Sequence, residues 1–118
     1  MSNKYAEHQK LLQQSILVAQ RTFPRLRLFQ RHVGLFFTKS GSPIQINHKG
    51  MADAWGWLPL PEYTLVIEIE FKTGSAVQSP DQKSWQKFCE SMGVLYILAR
   101  TENDIVEKIR ARLAITLN

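Results

Sequence analysis

The chain of 118 residues holds a single cysteine, Cys89, so it can build neither an internal disulfide nor a thiolate metal cluster. Cys89 itself reads as a buried helix residue. No run is long and apolar enough to cross a bilayer, and Met1 to Lys10 is polar where a secretory signal needs an apolar stretch. A membrane partner is not expected, and the cytoplasm is the expected compartment. There is no glycine-rich phosphate loop, no dinucleotide fingerprint and no Ser-His-Asp order, which leaves phosphotransferase, dehydrogenase and triad-hydrolase readings without residues. The three histidines, His8, His32 and His48, have no metal-ligand spacing. A zinc site is therefore not expected, and each is read as a surface or hydrogen-bonded residue. Repeats, low-complexity tracts and linkers are missing too, so residues 1–118 read as one domain.

What is present is an ordinary core-forming composition, 44% hydrophobic and 21% charged, with a formal net charge of +5. That excess favours a polyanionic partner through long-range attraction and counterion release, although solvated surface charge accounts for most of it. Arg21, Arg25, Arg27 and Arg31 crowd the first third, and Lys83 and Lys87 share one helix face.

Along the chain, Tyr5, Leu12, Ile16 and Ala19, widened by Leu11 and Val18, recur at helical spacing from Asn3 to about Arg21. Extended segments follow at Leu26 to His32, Val33 to Thr38 and Ile44 to Ile46, with a turn at Ser40-Gly41-Ser42-Pro43. His48-Lys49-Gly50 breaks the chain before Met51 to Trp57, which Pro59 and Pro61 end. Leu65 to Phe71 is the clearest strand: Leu65, Ile67, Ile69 and Phe71 fall on one face, and Val66, Glu68, Glu70 and Lys72 on the other. Ser79-Pro80-Asp81-Gln82 predicts a capped helix with Trp85, Phe88, Cys89 and Met92 inward and Gly93 as its stop. Val94 to Ala99 is a strand, and Thr101 is placed to cap a last helix carrying Ile105, Val106, Ile109 and Leu113. The crossover between Leu65 and Ala99 is long enough for a parallel pair. The fold class is α/β, a mixed sheet flanked by helices.

Two carboxylates and an ammonium together on one strand face are costly unless something offsets the repulsion and lost hydration. A divalent cation does so, since Mg²⁺ takes oxygen ligands and leaves positions for water and phosphate. Asp53 and Glu70 are the expected ligands, and Lys72 would either hold the attacking water or neutralise charge developing on the phosphate in the transition state. The same strand also reads as an exposed face with an i, i+2 salt bridge. Asp53 alone reads more readily as a local backbone cap than as a ligand. The pattern of an acid at one strand start followed by Glu-x-Lys on the next is what joins them.

Asp53 with Glu70-Phe71-Lys72 resembles the motif of the PD-(D/E)XK nuclease superfamily. Arg31-His32-Val33-Gly34, Gly50-Met51-Ala52-Asp53, Glu68 to Gly74 and Ser79-Pro80-Asp81-Gln82 with Trp85 and Gly93 narrow the resemblance to the virus-type replication-repair nuclease (VRR-NUC) family. It covers nearly the whole chain. The resemblance implies a restriction-endonuclease-like fold, a phage or bacterial origin and a catalytic Mg²⁺ or Mn²⁺. The ion would be held by Asp53, Glu70, the Phe71 main-chain carbonyl and the first-helix Glu7. Lys72 would be the catalytic lysine, and Gln82 would sit beside it. Gln82 also suits a capping box, and Glu7 a solvated helix start. Ala52 stands where the superfamily pattern has proline, and Glu68 is expected in a second shell around the ion.

The expected function is metal-dependent endonucleolytic hydrolysis of DNA, branched or four-way, by a homodimer. Phe36, Phe37, Trp55 and Trp57 supply interface or core aromatics. The alternatives are a non-catalytic nucleic-acid binder on a nuclease-like fold, a regulatory subunit without metal, and a processing exonuclease.

Overall fold

Asn3 opens the first helix because its side-chain oxygen accepts the free N–H of Ala6 at 3.1 Å. The computed structural model describes residues 3–116. Helix α1 runs Lys4–Thr22 and ends before Pro24, burying Leu12, Ser15 and Ala19. Tyr5, expected on the buried stripe, is instead exposed and lines an open cleft with the rest of the first turn.

Strands β1 (Arg27–Gln30), β4 (Ala54–Pro59), β5 (Thr64–Phe71) and β6 (Leu95–Ala99) form one sheet in the order β1-β4-β5-β6. The β1/β4 and β4/β5 pairs are antiparallel and β5/β6 is parallel, so the sheet is mixed. The parallel step is made by helix α2 (Pro80–Ser91), whose length supplies the crossover that a tight turn cannot. Strands β2 (Gly34–Phe37) and β3 (Pro43–Ile46) pair with each other in a separate hairpin inserted between β1 and β4. Asn47, in a left-handed conformation, donates to the His32 carbonyl at 2.6 Å and ties the hairpin base together.

The alternation in β5 divides the molecule. Leu65, Ile67, Ile69 and Phe71 join Leu12, Leu26, Leu28, Ile97, Ile105 and Ile109 in the main core, against α1 and α3 (Asp104–Thr116). Each such fully buried aliphatic side chain stabilises the fold by about 1.5–3 kcal/mol relative to exposure. On the opposite face a smaller cluster of Ala52, Cys89 and Tyr96 lies under α2. Of the expected α2 stripe, Cys89 is buried and Trp85 half-buried, but Phe88 and Met92 are exposed. The helix packs along β6, an edge strand, so its outer residues overhang the sheet. Gly93 stops α2 as expected, at φ 81°. Thr101 lies three residues before α3: its hydroxyl donates to Asp104, whose carboxylate accepts the Arg100 and Thr101 N–H groups. No helix among the described residues is long and apolar enough to cross a membrane.

Candidate active site

Asp53 lies where β4 begins, opposite the end of β5. Its Oδ2 accepts the Phe71 N–H at 2.8 Å, which fixes the carboxylate on the end of that strand. The turn before it is rigid for two reasons. Gly50 has φ 91°, and a Cβ there would meet the Asp81 carbonyl oxygen at 2.5 Å, so only glycine lets this turn lie against the first turn of α2. Ala52, in the place of the pattern's proline, is fully buried and gives its carbonyl to Arg31 at 3.1 Å.

Glu70 is fully buried. Its Oε1 accepts the Tyr96 hydroxyl at 2.5 Å and the Gln78 amide at 3.1 Å, while Oε2 has no hydrogen-bond partner and faces the Lys72 Nζ at 3.5 Å. Burial, then the bond to Glu70, pushes the Tyr96 phenol far above its usual range, so Tyr96 stays a donor. The Lys72 Nζ also donates to Gln82 Oε1 at 2.9 Å. That oxygen accepts the Ser79 N–H at 2.9 Å, and Gln82 N donates to Ser79 Oγ at 3.1 Å, closing the capping box. Gln82 therefore serves both readings from one oxygen atom: it caps α2 and holds the lysine.

Asp53, the main chain of Phe71, Lys72 and Gln82 come together on one open cleft of about 670 Å³. Glu70 is enclosed behind that wall and reaches it through Lys72. Glu7, which the resemblance makes a ligand of the ion, is exposed at the cleft rim. Its neighbour His8 is the inward residue. His8 Nε2 lies 3.2 Å from Asp53 Oδ2 and 3.1 Å from the Phe71 carbonyl oxygen, with its ring edge-on to Phe71. His8 is the hydrogen-bonded histidine the sequence allows, but its spacing gives no sign that its partners lie on the cleft. Continuing the buried series Ala19, Ser15 and Leu12 by one turn lands on it.

Glu68 does not stand beside the cleft. Both its oxygens are taken by Arg31 at 2.6 and 2.7 Å, and Oε1 also accepts the Trp85 indole at 2.9 Å. The strand face that reads as uniformly ionic is thus two separate networks, Arg31–Glu68 under the sheet centre and Glu70–Lys72 at the cleft.

Among the described residues no three His, Cys, Asp or Glu side chains converge on one point. A cation here would depend on Asp53, the Phe71 carbonyl and the buried, unpartnered Oε2 of Glu70. These are hard oxygen donors, and among the described residues Oε2 is buried without a hydrogen-bond partner, with the Lys72 Nζ 3.5 Å away, so the residues fit a divalent ion. No family model, no curated protein and no solved structure matches this chain.

Proposed function

We propose that the chain is a divalent-cation-dependent nuclease that hydrolyses phosphodiester bonds in DNA. One observation carries the reading. Lys72, only 15% exposed, is aimed by Gln82 on one side and Glu70 on the other into the cleft that Asp53 lines. An ammonium kept largely from water, bonded to one amide oxygen and set 3.5 Å from a carboxylate, is arranged for charge that appears in a transition state rather than for solubility. The Asp53, Glu70 and Lys72 set, its resemblance to the VRR-NUC motif and the observed element order support the same reading.

When bound, Mg²⁺ or Mn²⁺ held by Asp53, Glu70 and the Phe71 carbonyl would polarise the phosphate and ease deprotonation of water. The residues do the rest. Asp53 is held by the Phe71 N–H and so needs no reorganisation. Lys72 would donate to a non-bridging phosphate oxygen as a water oxygen bonds to phosphorus, its proton passing to solvent, and the bond to the leaving sugar oxygen breaks, that oxygen taking a proton from solvent. Gln82 and Glu70 keep the ammonium in place, and Tyr96 and Gln78 keep Glu70 in place.

For the substrate we propose branched or four-way DNA, cut by a homodimer, because two symmetric cuts need two sites. Support for a second copy comes from the β2/β3 hairpin, where Leu35, Phe36, Phe37 and Ile44 are all exposed, Phe37 by 66%. Trp55 and Trp57 instead stack with Phe29 on the sheet, 5.4 Å between centroids.

The experiment is a panel of labelled single-stranded, duplex, flap and four-way DNA with Mn²⁺ or Mg²⁺, comparing wild type with Asp53→Ala and Lys72→Ala. Light scattering accompanies it. A dimer that prefers four-way DNA, with Lys72→Ala slowed by ~10²–10³-fold at unchanged circular dichroism, is the expected result. Cleavage that survives both substitutions sinks the catalytic assignment. A monomer that degrades linear strands from their ends replaces the junction reading with a processing exonuclease. Binding of DNA and metal without turnover replaces it with a non-catalytic binder.

A further inference from the structure

We propose that His8 is a direct metal ligand and that its imidazole makes the site favour Mn²⁺, or another first-row transition-metal divalent ion, over Mg²⁺. The inference rests on the metal-dependent reading above and adds a residue to it. Adjacent ligands around an octahedral ion with bonds of about 2.1 Å lie about 3.0 Å apart. His8 Nε2 stands 3.2 Å from Asp53 Oδ2 and 3.1 Å from the Phe71 carbonyl oxygen, so these atoms already have the spacing of two edges of such a shell.

Each of the three atoms has an electron pair to give. The Asp53 oxygen uses one lone pair on the Phe71 N–H and keeps another. A main-chain carbonyl has two. Set between two acceptor oxygens, Nε2 donates a hydrogen when no ion is there; with the hydrogen on Nδ1 instead, it has a lone pair to give. The ring is also pre-positioned, one helical turn before buried Leu12 and edge-on to Phe71 at 6.2 Å between centroids. Glu7 makes no side-chain hydrogen bond or ion pair among the described residues and points out at the rim. Mg²⁺ is hard and favours an all-oxygen shell, whereas imidazole suits softer divalent ions. A mixed nitrogen and oxygen set therefore tilts selection away from Mg²⁺.

Pulsed electron paramagnetic resonance of Mn²⁺ bound to the tag-free protein reads the ligand directly, through coupling to a coordinated imidazole ¹⁴N. Wild type should give that coupling and His8→Ala should lose it. His8→Ala should also weaken Mn²⁺ binding by at least ~10-fold, the lower end of what even an outer-shell partner costs. Glu7→Ala should keep the coupling, and His8→Asp should narrow the Mn²⁺ over Mg²⁺ preference in competition titrations. Mn²⁺ bound tightly without ¹⁴N coupling, and lost on Asp53→Ala but not on His8→Ala, overturns the role of His8 while leaving the nuclease reading standing. Loss of Mn²⁺ on Glu7→Ala instead of His8→Ala overturns it in favour of the rim glutamate. A wild-type protein that binds no Mn²⁺ overturns both.

Discussion

Replacing Arg31 by methionine should be the most damaging single change outside the main core. Arg31 and Glu68 are 9% and 8% exposed, joined by two bonds of 2.6 and 2.7 Å, and Glu68 also accepts from Trp85. Arg31 adds a bond to the Ala52 carbonyl and stands 6.0 Å above the Trp55 ring. Removing the guanidinium leaves a buried carboxylate with one neutral donor. Breaking one side of such a pair costs about 3–5 kcal/mol. For 118 residues, about 1 kcal/mol shifts the melting temperature by about 4 °C, so the variant should melt about 12–20 °C lower. Glu68→Met should cost about as much, because it strands the opposite charge.

The double variant is the sharper measurement. Two methionines of similar volume leave no buried charge, so Arg31→Met with Glu68→Met should recover most of the loss in urea unfolding. If each single variant costs under about 1 kcal/mol, the pair behaves as a solvated surface bridge and the reasoning from burial fails. If the double variant costs the sum of the singles, the two residues act independently and the bidentate contact is not what holds them. Glu68 touches no cleft residue through its carboxylate, so any surviving folded protein should cleave at a near wild-type rate per folded molecule.

Millimolar Mn²⁺ should raise the melting temperature: at a hundredfold excess over Kd, linkage gives about 2.7 kcal/mol, or roughly 10 °C at this chain length. A melting temperature that ignores both Mn²⁺ and Mg²⁺ would remove the cation from the site. Burial, with the Glu68 charge next, pushes the Cys89 thiol from 9.0 up to about 11. The neutral thiol is favoured in the folded state, so this contribution is complete below pH 9 and lost as pH rises through about 11. Native Cys89 should accordingly react slowly with a thiol reagent at pH 8 and quickly in urea. Equal rates would place it at the surface. The Ser15 hydroxyl is fully buried with no hydrogen-bond partner among the described residues, so Ser15→Ala should stabilise the fold by about 1–2 kcal/mol in urea titration. A destabilised variant would mean the hydroxyl has a partner after all.

The parts of the fold legible in the sequence are those set by local rules. Period-two alternation placed β5, a capping serine with proline and glutamine started α2, and Gly93 ended it. Each rule concerns residues within a few positions of one another. The separation of the β2/β3 hairpin from the main sheet is not local. Its strands have the same extended character as β1 and β4, and only pairing decides which join. The misplaced α2 residues have the same origin. Phe88 and Met92 lie at helical spacing from Cys89, but α2 sits over a sheet edge, and periodicity carries no information about how far the sheet extends beneath a helix.

The candidate site divides along the same line, and the division has a chemical cause. Asp53, Glu70 and Lys72 announce themselves because like charges on adjacent strands require compensation. Their surroundings carry no such signal. Gln78 and Tyr96 are 8 and 26 residues from Glu70, and each is unremarkable in its own segment. The Phe71 carbonyl is a main-chain atom that any residue would supply. His8 is 45 residues from Asp53 and 63 from Phe71, and its role depends on which way α1 is turned against the sheet. The adjacent Glu7 has the more obvious ligand chemistry, yet a rotation of about 100° per residue points it at the rim. Residue type selects Glu7, whereas the burial phase of Leu12, Ser15 and Ala19 selects His8. Where these two disagree on a helix flanking a charged cleft, phase says which side chain lies against the strand end and which stays at the rim, and residue type does not.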